Sequence, residues 1–175
     1  YYARRTRRDL ILKARKLGFT TLILALWLHA CVTRPNTHAV VVSHDDESSA
    51  RLFERVKYMR KHSVVPIRLG RDSSTMTFPE MDSSFWIGTA GSRAFGRGDD
   101  ITHALLSEAA FYESQDVLTG VSEALVDDSW LVVESTANGA GTPHHDLWLA
   151  AQRGESDYAN NFYGWWWDQG YRVAG

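Results

Sequence analysis

This sequence predicts an α/β domain with a mostly parallel central sheet flanked by helices. Strand signals alternate with helix signals for most of the chain, which is the mark of a sheet whose crossovers are helical. A length of 175 residues buries one good core and makes one domain the default. The first strand is Leu10-Ile11-Leu12, and an apolar helix from Thr20 to Cys31 follows it across the stretch Lys13 to Thr21.

Thr37 to Ser43, with Val40-Val41-Val42 inside it, reads as a buried strand. Glu47 to Lys61 reads as an amphipathic helix laid on the sheet. Leu52, Phe53, Val56 and Met59 fall on one stripe, and Asp45 and Asp46 stand near the end where the helix dipole favours acids. Val64 to Pro79 is less periodic and rich in Ser and Thr, which predicts short strands or a β-hairpin excursion. Phe85 to Thr89 is a further strand, leading into a glycine-rich loop from Ala90 to Gly98. A strand at Thr102 to Leu106, a helix at Val117 to Leu125, a strand at Trp130 to Val133 and a helix at His144 to Gln152 complete the order.

Composition narrows the function classes. Hydrophobic content of 44% with 23% charged residues is ordinary for a globular domain, and no run approaches the ~20 apolar residues of a membrane span. Cys31 is the single cysteine, so neither a disulfide framework nor a cysteine zinc site is possible, and a reducing cytosol fits. The net charge of −2 is unevenly spread. Residues 1 to 16 hold seven Arg and Lys against Asp9 and carry +6, leaving −8 for the rest. A whole-domain basic field for nucleic acid is therefore absent, and only the N-terminal arm could supply such contact. The histidines are scattered, without the spacing of a helical zinc site.

Lys13-Ala14-Arg15-Lys16-Leu17-Gly18-Phe19-Thr20-Thr21, between a strand and a helix, lies where a phosphate-binding loop belongs. In the usual G-x-x-x-x-G-K-[ST] pattern, glycines let backbone N–H groups wrap the phosphates, the Lys reaches the β/γ-phosphates and the hydroxyl binds Mg²⁺. Here Gly18 and Thr20 keep the second-glycine and hydroxyl positions. Lys13 stands at the first glycine and Phe19 at the lysine, so the cation has moved to the other end of the loop. A bland basic turn would show the same residues. Arg15 and Lys16 add the positive charge that a triphosphate needs.

Nucleotide hydrolysis also needs a carboxylate at the end of a neighbouring strand. Glu108 follows the strand Thr102 to Leu106, with Ser107 where an Asp usually supports the metal. A second strand end, Glu134-Ser135-Thr136-Ala137-Asn138-Gly139, puts hydroxyls and an amide on the ligand-binding edge of an open sheet, although Asn-Gly alone is a common turn.

With Leu10 to Thr21, Ser107-Glu108-Ala109-Ala110-Phe111 and Glu134 to Gly139 in this order, the chain resembles the ATPase domain of the large terminase subunit of tailed bacteriophages. The resemblance covers nearly the whole chain and implies an ASCE-type P-loop NTPase fold. In that family the domain drives double-stranded DNA into an empty procapsid, and a separate RNase H-like nuclease domain follows. Residues 1–175 are accordingly expected to be an ATPase-domain fragment, cut at both ends. Trp165-Trp166-Trp167 then reads as packing at the junction with the further domain, rather than as a base-stacking platform.

The resemblance implies ATP and Mg²⁺ as cofactors. Lys13, Ala14, Arg15, Lys16, Leu17, Gly18, Phe19, Thr20 and Thr21 would form a variant Walker A loop whose phosphate-reaching lysine is Lys13, with Thr20 the Mg²⁺ ligand. Glu108 would be the catalytic glutamate of Walker B, and Ser135 and Thr136 the coupling motif. Arg97, with Arg93 second, matches the arginine given to a neighbouring subunit's nucleotide. A glutamine upstream of the first strand usually contacts adenine, and none lies before Lys13. Implied partners are double-stranded DNA, the small terminase subunit and the portal of the procapsid. A homo-oligomeric ring during packaging, the host cytoplasm and endonuclease activity in the full-length protein are implied as well. Two alternatives stay open, a helicase-like DNA translocase and a prophage remnant that no longer hydrolyses ATP.

Overall fold

The computed structural model describes residues 5–64, 66–72, 75–90 and 100–171. The element order is β1 (Arg8–Lys13), α1 (Phe19–Thr33), β2 (His38–Ser43), α2 (Asp46–Lys61), β3 (Arg71–Asp72), β4 (Thr75–Phe78), β5 (Ser83–Thr89), β6 (Ile101–Ser107), α3 (Asp116–Glu123), β7 (Leu125–Ser135), α4 (Pro143–Gln152) and β8 (Ala159–Tyr163). They build one eight-stranded sheet in the order β3-β4-β5-β2-β6-β7-β1-β8. The pairs from β5 through β2, β6, β7 and β1 to β8 are all parallel. The expected excursion is the antiparallel β3–β4 hairpin, which extends the sheet beyond β5.

Alternation along the central strands sorts their side chains onto two faces. Ile11, Leu105 and Val132 join Trp27, Leu24, Leu52 and Val56 in a core beneath α1 and α2. Leu10, Leu106 and Val133 join Val121 and Tyr112 in a second core, against which Leu147 and Trp148 of α4 pack. Helices thus cover both faces, as a parallel sheet requires. α2 is capped by Asp45, whose carboxylate accepts from the Ser48 N–H at 2.6 Å. α4 starts at Pro143 behind Thr142, whose hydroxyl oxygen accepts from the His145 N–H.

Three elements depart from the sequence reading. β7 is eleven residues long and begins at Leu125, where the reading begins a strand at Trp130. β8 has no counterpart in the reading, and it pairs with β1 on the side away from β7. Trp165–Trp167 form a short 3-10 turn, with the three indoles 54, 49 and 65% exposed. Arg5, Arg7 and Arg8 are engaged with Asp128 to Trp130 of β7. Arg7 pairs with Asp128, the Arg8 guanidinium donates to the Ser129 carbonyl at 2.8 Å, and that of Arg5 lies over the Trp130 ring. Among the described residues no helix is long and apolar enough to cross a membrane.

Candidate nucleotide-binding site

The carboxyl ends of β1, β6 and β7 lie side by side, and their register dictates which side chains meet. Ser107 is paired with Glu134, and Ile11 with Glu134 from the other side. Lys13, two residues beyond Ile11, therefore points to the same face as Glu134 and Ser107, the face that α1 covers. Gly18, at φ 78°, turns the chain from the loop into α1, and the next turn brings Thr20 over this group. Four side chains from four places in the sequence thus converge by strand parity and one glycine turn.

The Lys13 ammonium lies 3.0 Å from Glu108 Oε1 and 3.0 Å from Glu134 Oε2. The second contact is an ion pair with a fully buried carboxylate. Glu134 is fully buried, and its Oε1 accepts from the hydroxyls of Thr20 at 2.8 Å and Ser107 at 2.7 Å. Glu108 sits in the left-handed region at φ 55°, unusual for a residue with a side chain, which turns its carboxylate back across the strand ends. Its Oε2 accepts from the Thr136 N–H at 3.0 Å, the Thr136 hydroxyl at 3.1 Å and the Ser135 hydroxyl at 3.3 Å. Ser135 Oγ in turn accepts from the Ala110 N–H, and the Asn138 amide donates to the Ala110 carbonyl.

Burial alone would lower the pKa of Lys13, but Glu134 and Glu108 outweigh it and hold the ammonium above the ordinary lysine value. Burial works to raise Glu108. The Lys13 charge and the Thr136 hydrogen bonds outweigh it and hold the carboxyl below its ordinary value. At neutral pH Glu108 is therefore an ionised acceptor.

This group forms one wall of a cleft of about 590 Å³ lined by Lys13, Arg15, Lys16, Leu17, Gly18, Phe19, Thr20, Thr21, His44, Arg55, Glu108, Phe111 and Thr136. Lys16, at φ 59°, joins Gly18 in the left-handed conformation, a backbone form that makes anion-binding concavities. Ala14 is the loop residue that does not line the cleft, because its N–H donates to the Tyr163 carbonyl at 2.9 Å and fastens the loop to β8. Phe19 has a packing reason for standing where a lysine is usual: its ring lies 4.4 Å from that of Tyr163 on β8. Lys13 ends β1, and its ammonium is turned toward the two carboxylates rather than into the loop. Ser135 is buried behind Glu108, whereas Thr136 reaches the cleft wall. Arg97 and Arg93 lie outside the described residues.

Sequence reasoning assigns no role to Glu134, His44 or Arg55. Glu134 carries a signal, being the first charged residue after the apolar run Trp130 to Val133. His44 follows directly on β2 at the same sheet edge. Arg55 lies on α2, and only the packing of that helix brings it to the cleft.

No protein-family model matches the chain, and no curated protein does. Solved structures do match. The HK97 bacteriophage large terminase superposes with a TM-score of 0.73 at 19% identity, over 87% of this chain and 34% of that one. The large terminase ATPase domain of Thermus phage P74-26 gives 0.73 at 19% identity, over 92% of this chain and 77% of that one. The large terminase of a thermophilic bacteriophage, in complex with ADP, gives 0.68 at 15% identity, over 89% of this chain and 40% of that one. The chain spans about a third of the HK97 protein's length. It has the α/β fold of the ATPase domain of phage large terminases.

Proposed function

We propose that the chain is the ATP-hydrolysing motor domain of a phage or prophage large terminase, coupling hydrolysis to movement of double-stranded DNA into a procapsid. The observation that carries this reading is the environment of Glu108. One carboxylate is held at one oxygen by the loop lysine and at the other by Ser135 and Thr136. Loop, catalytic carboxylate and coupling residues therefore form one hydrogen-bonded unit. The thermophilic-phage terminase was solved with ADP and with ATP-γ-S, which supports a nucleotide in this cleft.

On this reading the phosphates lie against the loop and the N-terminus of α1, where free N–H groups and the helix dipole favour anions. An incoming polyphosphate competes with Glu108 and Glu134 for the Lys13 ammonium. Once the ammonium turns to phosphate, Glu108 is free to orient a water and take its proton. Thr136 holds Glu108 in position through the step, and any change in that hydrogen bonding is passed to the loop after β7.

The surroundings fit Mg²⁺. The available donors, the Thr20 hydroxyl and the Glu134 carboxylate, are all oxygen, and among the described residues there is no cluster of three metal-ligating side chains. That suits a cation held mainly by phosphates with one or two protein groups. Mg²⁺, when bound, neutralises charge on the β- and γ-phosphates, and Thr20 is the residue assigned to it.

Arg97 is assigned to the nucleotide of a neighbouring subunit in a homo-oligomeric ring, a contribution of ~10³–10⁵ in rate. The small terminase subunit and the portal are the proposed partners, the host cytoplasm the proposed site of action, and endonuclease activity is proposed only for the full-length protein.

The experiment that tests the lysine assignment compares Lys13→Ala with Lys16→Ala in steady-state ATP hydrolysis. Lys13→Ala is expected to abolish turnover, while Lys16→Ala retains it. Survival of activity in Lys13→Ala with loss in Lys16→Ala would show the phosphate contact to be made by Lys16 instead.

A further inference from the structure

Ser107 stands where a metal-supporting carboxylate is expected, yet the position is not empty of carboxylate chemistry. Its hydroxyl donates at 2.7 Å to Glu134, the residue paired with it on the adjacent strand. β7 lies between β6 and β1, so a carboxylate on β7 is one strand spacing, about 4.8 Å, nearer the loop than one on β6. Its Oε1 also accepts from Thr20 Oγ1, the hydroxyl assigned to Mg²⁺, at 2.8 Å.

Charge balance points the same way. Lys13 faces two carboxylates, Glu108 and Glu134, with the lysine side chain 6% and that of Glu134 0% exposed, while the other cations of the cleft, Arg15, Lys16 and Arg55, line its open side. A carboxylate kept only to neutralise Lys13 would be redundant beside Glu108, and burying the excess charge is costly. Glu134 divides its two oxygens, Oε2 facing the Lys13 ammonium at 3.0 Å and Oε1 accepting from Thr20 and Ser107, so one carboxylate ties the loop lysine to the hydroxyl assigned to Mg²⁺.

We propose that Glu134 is the metal-side carboxylate of this site, moved from the usual strand to the neighbouring one, with Ser107 as the residue that positions it. The inference rests on the reading of the cleft as a Mg·ATP site. It makes the absence of an acid at 107 a relocation rather than a loss, so the chain keeps a carboxylate on the metal side of the cleft.

The test measures ATP affinity by titration calorimetry on the 175-residue chain, once with excess Mg²⁺ and once with EDTA. In the unmodified chain Mg²⁺ is expected to raise affinity. Glu134→Gln should lose ~10–100-fold of that gain, the usual effect of removing a group that supports a metal site, while affinity in EDTA stays the same or rises. The double variant Ser107→Asp/Glu134→Ser, which moves the carboxylate back to β6, should recover most of the gain. If Glu134→Gln does not fold, Glu134→Asp keeps the charge facing Lys13 but withdraws it by one methylene, and it should lose part of the Mg²⁺ gain without a fall in EDTA affinity. An equal loss with and without Mg²⁺ would show that Glu134 serves only to hold Lys13, and would overturn the proposal. Binding to the unmodified chain in neither condition would overturn the ATP reading itself, and this inference with it.

Discussion

One ammonium facing two carboxylates sets the pH range over which the site holds its shape. The folded value of Glu108 lies below the ordinary 4.5, so its contribution to stability is present above that value and is lost as pH falls through the lower folded one. The folded value of Lys13 lies above the ordinary 10.5, so its contribution is full below 10.5 and is lost as pH rises through the higher folded one. Urea midpoints measured across pH should therefore be flat, as far as this group is concerned, between these limits and fall beyond them. Glu108→Gln should weaken the acid limb, and an unchanged acid limb would mean that Glu108 gains nothing from Lys13 in the folded chain. Lys13 is singled out by its place at the end of the first strand and by the resemblance to a variant phosphate loop, while its pairing with Glu134 depends on strand register that the local pattern does not show. The reason for Phe19 was not legible, since its partner Tyr163 is 144 residues away on a strand the pattern did not reveal.

At the scale of elements, β7 organises the site. Its alternation sends Glu134 toward α1 and Ser135 toward the opposite face, and the chain leaving it carries Thr136 to Glu108. Thr136→Val removes the hydroxyl's bond to Glu108 while leaving the backbone N–H bond in place. Because a hydrogen bond to a charged group is worth about 1.5–3 kcal/mol, turnover should fall by ~10–100-fold with ATP affinity little changed. Unchanged turnover would remove Thr136 from the catalytic unit. The central strands and the two long helices were readable because apolar runs and a one-sided stripe leave little choice of structure. The first half of β7 was not, since Asp127 and Asp128 are exposed on a part of the strand that needs no apolar pattern. Nor was β8, an edge strand with Asn160 and Asn161 at its centre and no fully buried side chain. Its polarity is that of a strand with solvent on one side.

For the molecule as a whole, the sheet order is what makes the cleft. Inserting β7 between the loop strand β1 and the Glu108 strand β6 puts the residues that follow β7 within reach of both, so one strand end senses the loop and the carboxylate together. On the proposed reading, such a junction lets the hydrolysis step be felt outside the nucleotide site. Turnover by isolated chains should on that reading be slow, because Arg97 is supplied between subunits, whereas Glu108 acts within its own chain. The most direct measurement is therefore ATP binding and ATP turnover made in parallel on the unmodified chain and on Glu108→Gln. Mg·ATP affinity is expected to be retained, with turnover lowered by the ~10²–10⁴ that loss of a general base entails. Full turnover in Glu108→Gln would contradict this mechanism, because the carboxylate that joins the loop lysine to Ser135 and Thr136 would then have no part in hydrolysis.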